Sequence, residues 1–232
     1  MLTEAELEAC ATVADPARHP FLKAAAARPL PKESWRIYAG RIHYTAARHL
    51  SGLARLLALC PDGDLRLFLL DNYLEEDGIH IRDGEMIRTP GASHTELARR
   101  FTRACGIPDN DLDAPDCRVS SSWLETAMSE GRWAAALGYV CVGMELNVPG
   151  IFAPLSKALC DVHGFSAEEI LFFSHHVVAD EEHGAVGLRL LTEAAAKGLA
   201  TSEEICAGAR KGAAAWWGFH LACVRDMKRA AA

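Results

Sequence analysis

Apolar residues recur at three- and four-residue spacing along most of this chain, a pattern that lays one apolar stripe along each helix it forms. The stripes predict a helix near 3–13, a short alanine-rich helix after His19-Pro20-Phe21, a long helix from about 32 to 59 and another from about 64 to 76. Pro29 and Pro31 precede the long helix and Pro61-Asp62-Gly63 closes it. Helices resume at about 93–106, and Ser/Thr-x-x-Glu boxes at Ser122/Glu125, Ser166/Glu169 and Thr201/Glu204 open three more. The segment 132–162 is helical with Pro149 as a kink, and Gly198 reads as a helix stop. Between Gly78 and Gly91 the periodicity is lost, so that stretch is expected to be a loop and, by its position, a lid whose Arg82 and Arg88 greet an anionic group. No alternating pair of strands joined by an Asn-Gly or Asp-Gly turn is read. The expectation is therefore an all-α, single-domain helical bundle over 1–232.

Composition narrows the function classes. With 232 residues, 50% of them hydrophobic, the chain can supply a core, which excludes disorder for its bulk. A formal charge of -7 and the lack of a basic stripe interleaved with aromatics argue against a nucleic-acid partner. The longest apolar run, Ala134 to Met144, falls short of the roughly 18 residues of a membrane span, and the acidic opening Met1-Leu-Thr-Glu lacks the pattern of a secretory leader. These features predict a cytoplasmic protein with no membrane partner. The 8 cysteines include no Cys-x-x-Cys pair and read as reduced, mostly buried thiols.

Chemistry concentrates in four places. His176, Asp180 and His183 fall within about 60° of one another on one helical face, whereas His175 points about 100° away from His176 and is left out. Glu181 and Glu182 read as peripheral or solvated. Glu145 has apolar neighbours in almost every direction, and a lone buried carboxylate costs several kcal/mol unless paired, protonated or metal-bound. Glu76 shares a stripe with Leu65, Leu69 and Asn72, which turns it toward the apolar side, and His94 opens the next helix. Each has a plainer reading: a histidine at a helix start is commonly a cap, and a Glu-Glu pair at a helix end is commonly solvated. Together they supply three carboxylates and three imidazoles on four helices, a set suited to two first-row metals in a bundle. The metalloprotease motif, the Gly-rich dinucleotide loop and the phosphate-cradling loop are absent.

Leu70-Asp-Asn-Tyr-Leu-Glu-Glu-Asp-Gly78, Ser93-His-Thr-Glu-Leu-Ala-Arg-Arg-Phe101, Glu145-Leu-Asn-Val-Pro149 and His176-x-x-x-Asp180-x-x-His183 resemble the haem-oxygenase-like diiron oxidases and oxygenases, a superfamily that also includes thiaminase II and pyrroloquinoline quinone synthase. The likeness runs from His19-Pro20-Phe21 to about residue 195. It implies a bundle of about seven helices that binds no haem, with Glu76, His94, Glu145, His176, Asp180 and His183 as ligands of two iron ions, manganese being an alternative. It further implies that O2 is a co-substrate, that a small molecule such as an amino acid or fatty acid derivative is oxidised, that a reductase or other electron donor takes part, and that a homodimer is a common assembly. Three carboxylates against two divalent cations leave +1, which agrees with ferrous and ferric states alike.

The chain departs from the pattern in two respects. Between Glu76 and His94 lie 17 residues, more than the family pattern implies, so Gly78 to Gly91 reads as an inserted loop, which leaves His80 as an alternative to His94. In the branch typified by the chlamydial protein associating with death domains, p-aminobenzoate is made from the protein's own tyrosine and lysine, and those positions match Leu22 and Leu155 here. An external substrate is expected instead. Two rival readings stand beside the oxidase: a metal-free hydrolase of the thiaminase II kind, with Cys141 as nucleophile and Glu145 as its proton partner, and a non-catalytic metal- or partner-binding protein. The aromatics Trp35, Phe68, Trp123, Phe152, Phe172 and Trp216 either line an apolar cavity or form ordinary core.

Overall fold

Capping and apolar stripes place the helices close to where the sequence puts them. A computed structural model describes residues 2–12, 15–119 and 122–230. Helices α1 (Glu4–Ala11) and α2 (Pro20–Ala27) lead into α3 (Arg36–Leu59), which a 3-10 turn, Lys32–Trp35, introduces. Then come α4 (Gly63–Glu76), α5 (His94–Ala104), α6 (Ser122–Ser129), α7 (Trp133–Leu137), α8 (Val148–Asp161), α9 (Leu171–Ala196) and α10 (Ser202–Ala230). The all-α class is as expected. The expected boxes hold in part: Ser166 and Glu169 satisfy each other's backbone N–H, and Thr201 Oγ1 accepts from Glu204 N at 3.2 Å. Helix α9 nevertheless begins only at Leu171, after a turn.

The 78–91 stretch is not the expected loop. Ile79–Arg82 (β1) and Glu85–Arg88 (β2) pair antiparallel as a hairpin, and Asp83-Gly84 forms its turn with φ of 53° and 83°. Two consecutive positive φ values are what a two-residue hairpin turn demands, and Asp-Gly is a favoured pair for it. Strands of four residues are too short for periodicity to register. At its base Thr89 N donates to the Gly78 carbonyl at 2.8 Å. Gly78 has φ +71°, and a Cβ there would sit 2.7 Å from Ser93 N. The insertion is thus pinched off, and the end of α4 abuts the start of α5. Arg88 is already engaged by Asp77, with Nη1 3.0 Å from Oδ1, so it is not the free anion-greeting group expected.

From 133 to 161 the chain is one rod in three geometries: α7, a π-helical turn Gly138–Met144, a 3-10 turn Glu145–Asn147, then α8. Pro149 begins α8 rather than kinking a helix. The rod lies against α10 backbone to backbone. A Cβ at Gly138 or Gly143 would come 2.5 Å from the carbonyl oxygen of Ile205 or Ala209, and Gly208 and Gly212 approach Ala135 and Tyr139 more closely still. Glycine is required on both sides of that contact. The rod is long and apolar enough to cross a membrane, yet 72% of its most apolar window is buried in the bundle.

Two apolar clusters result. One gathers Phe21, Trp35, Tyr38, Phe101, Phe152 and Phe173; the other gathers Leu7, Leu53, Leu65, Leu137, Leu191 and Ile205. Met144 touches both, and the adjacent Glu145 marks where the polar groups lie.

Candidate metal centre

Each expected donor is delivered by a recognisable local device. Glu76 ends the buried stripe Leu65, Leu69, Asn72 of α4 and is 7% exposed. His94 opens α5 behind the cap in which Ser93 Oγ accepts from Glu96 N, and it is 1% exposed. Its Nδ1 lies 2.8 Å from Glu76 Oε1. His80, its rival in sequence, is half-buried in the hairpin and joins none of the donor groups among the described residues. On α9 His176, Asp180 and His183 are all buried. The Nδ1–H of His176 donates to the Phe172 carbonyl at 2.7 Å, which leaves the Nε2 lone pair free. Glu145 is buried immediately after the π-turn, a distortion that recurs at functional sites because it re-aims the side chains that follow.

Two features differ from the sequence reading. His49 of α3 was not singled out, yet its Nε2 lies 3.6 Å from Glu145 Oε1 and 3.8 Å from Glu76 Oε1. The signal was available, since Ile42, Ala46, Leu53 and Leu56 are buried on one stripe that includes position 49. His175 was set aside on helical phase. Its Nε2 in fact lies 3.3 Å from Glu75 Oε1, and its ring centroid is 4.7 Å from that of His94. Phase fixes where a Cβ points, but α4 and α5 both approach this flank of α9. Glu75 also accepts from His183 Nε2 at 3.2 Å.

Two donor triplets emerge, Glu76/His94/His176 and Glu75/His94/His175, each with ligand atoms within 4.8 Å of one another. Glu145 lines the cavity of about 60 Å³ that also contains Glu76, His176 and Asp180. His183 Nδ1 stands 3.6 Å from Asp180 Oδ1.

The electrostatics are those of a site that expects added positive charge. Burial pushes Glu76 up, but the charges of His94, His49 and His176 and the His94 hydrogen bond outweigh it and hold the carboxyl at about 2. Hydrogen bonds from His175 and His183 hold Glu75 far below the usual range. His94 and His183 are raised against the pull of burial, His94 by Glu76 and His183, to about 11, by Asp180 and Glu75. Glu145 goes the other way, up to about 7, through burial and the neighbouring Asp180 charge. In this arrangement protons on imidazoles do what a cation would do.

A metal fits these residues. His94 Nε2, Glu145 Oε2 and His183 Nδ1 are buried with no hydrogen-bond partner, as are both amide atoms of Asn72 one turn before Glu76. Orphaned buried donors of this kind are rare and costly unless something coordinates them. A mixed carboxylate and imidazole set suits iron or manganese.

The chain is similar in sequence and in fold to known proteins. The chain is 26% identical over 187 residues to the 4-aminobenzoate synthase of Chlamydia trachomatis serovar D, which covers 76% of this chain and 75% of that protein. It is 24% identical over 172 residues to the 4-aminobenzoate synthase of Chlamydia muridarum, covering 71% and 67%. In fold it is similar to a domain of unknown function with a haem-oxygenase-like fold from Shewanella denitrificans OS217, at a TM-score of 0.62 and 17% identity over 97% of this chain and 88% of that one. The sequence model of the iron-containing redox enzymes matches residues 39–217, more than three quarters of the chain and every donor named above, and the protein belongs to that haem-oxygenase-like family.

Proposed function

We propose that this chain is an O2-dependent oxidase or oxygenase that holds two iron ions through Glu76, His94, Glu145, His176, Asp180 and His183 and oxidises a small external substrate. The observation that carries the reading is the buried Glu76, His94 and His176 triplet, in which His94 Nε2 has no hydrogen-bond partner, in a family named for iron. Iron, when bound, supplies electrons and open coordination positions for the reduction of O2.

The protein's own residues do the rest. The Phe172 carbonyl fixes the tautomer of His176, and Glu75 holds the His183 ring from the outside. Phe152, Phe172 and Trp216 wall the small cavity and keep water away from the carboxylates. As ligands bind metal, His94 and His183 must give up protons, so metal uptake strengthens as pH rises. Leu22 and Leu155, which stand where the sequence comparison looked for a sacrificial tyrosine and lysine, are buried in the aromatic cluster, and this supports an external substrate. When one oxygen atom of O2 is inserted into the substrate and the other ends as water, the substrate gives two of the four electrons required and the other two call for a reductase or other electron donor; as an oxidase, with the substrate giving all four, the protein needs none.

The hydrolase reading is less well supported. Cys141 is 1% exposed, and burial together with the adjacent Glu145 pushes its thiol far above the ordinary value, the opposite of what a nucleophile needs. The test is O2 uptake by anaerobically iron-loaded protein with an electron donor and a panel of small acids and amines. Substrate-dependent uptake that disappears on chelation is expected; uptake that never exceeds that of free ferrous iron rejects the reading.

A further inference from the structure

A second cavity, about 190 Å³, lies beside the first, between α3, α6, the π-turn and α10. Thr45, His49, Met144 and Trp216 line both, so the larger space shares a wall with the cavity that holds Glu76, Glu145, His176 and Asp180. We propose that this cavity is the substrate site and that it takes a compact carboxylic acid, with an apolar body of about one ring and its carboxylate on Arg48. The proposal rests on the oxidase reading for its meaning, but not for its test.

The space is built into the sequence. Gly52 of α3 lines it, and a Cβ at that position would meet nothing within 4 Å. A glycine costs an exposed helix roughly 1 kcal/mol relative to alanine, and here packing gives no reason for one. The only evident consequence of the missing side chain is room. An apolar cavity of about 150 Å³ accepts benzene, so this volume suits one ring with a short chain.

Chemistry then differs from end to end. The inner wall is apolar, with Trp216 and Phe219 stacked at 5.8 Å and the buried Leu53 and Met128 also lining it. The outer end carries Arg48, whose guanidinium sits 4.9 Å over the Tyr44 ring while Nη1 donates to Tyr44 Oη at 2.6 Å. The tyrosine therefore orients the arginine in advance. Glu125 Oε1 is 3.7 Å from Nη2, beyond hydrogen-bond distance, so most of the five guanidinium donors are unengaged by it. Arg55 lines the same cavity, giving two cations against the Glu125 carboxylate. A planar anion that can be held at two oxygens matches such a fork.

Binding can be read by calorimetry on the full-length chain without iron, using 3-phenylpropanoate and its neutral counterpart 3-phenylpropan-1-ol. The acid is expected to bind at least about ten-fold more tightly than the alcohol, a difference of about 1.4 kcal/mol. Arg48→Gln should bring the acid down to the level of the alcohol and leave the alcohol unchanged. Gly52→Leu should remove binding of both while leaving the melting temperature equal or higher, because leucine favours the helix and fills the space. Equal affinities, no binding of either probe, or binding indifferent to both substitutions overturns the proposal. Iron content, measured separately on the same preparations, reports on the oxidase reading alone, so the two can fail independently.

Discussion

Replacing Glu145 by glutamine is expected to stabilise the iron-free protein above pH 7 even as it abolishes iron binding. The carboxyl is buried, one of its oxygens has no partner, and burial with the Asp180 charge raises it to about 7 from an ordinary 4.5. A carboxyl whose folded-state pKa is raised keeps its proton longer in the folded chain than in the unfolded one. Its contribution is therefore neutral below pH 4.5, and stability declines as pH rises from there through about 7. The full shift corresponds to at most roughly 3 kcal/mol, or about 6–12 °C in a domain of this size. Glutamine keeps the shape and removes the charge. Melts of both iron-free forms at pH 5 and pH 8 should differ little at the lower pH and favour Glu145→Gln at the higher. A clear fall in its melting temperature at pH 8 would mean that the carboxylate serves a structural partner.

His176→Ala is expected to lower bound iron to one ion or fewer per chain and cut turnover at least about a hundred-fold, since it deletes a buried donor whose other nitrogen is already committed to Phe172. His175→Ala should be milder. Its side chain is 36% exposed and meets Glu75, so its loss resembles that of an outer partner, about 10–100-fold in metal affinity. Titration of ferrous iron into both variants under anaerobic conditions checks this. If His175→Ala loses iron as completely as His176→Ala, the Glu75/His94/His175 triplet is itself a primary site.

These two histidines show what the sequence discloses and where it stops. Helical phase correctly brings His176, Asp180 and His183 to one buried face, and the Leu65-Leu69-Asn72 stripe correctly turns Glu76 inward, because both are properties of a single helix. Glu75, His175 and His49 acquire their neighbours only when separate helices pack, and no periodicity within α3, α4 or α9 reports that. The hairpin escaped for a different reason. Its four-residue strands expose Ile81, Met86 and Ile87, so the usual inward-outward alternation that marks a strand is missing. The π-turn before Glu145 starts at Gly138 and includes Gly143, both pressed against α10, more than sixty residues away in sequence. The glycines are visible in the sequence, but their counterparts Gly208 and Gly212 become meaningful only once the two helices touch.

The dinuclear centre is the claim on which the rest depends, and the iron content of the unsubstituted protein tests it most directly. The full-length chain would be loaded anaerobically with ferrous iron, freed of loosely bound metal, and analysed for iron per chain together with the magnetic coupling of the ions. The arrangement of donors around Glu76, His94, Glu145 and the α9 face predicts close to two iron ions per chain, coupled to each other. One ion or fewer per chain, or two that are magnetically independent, would contradict it.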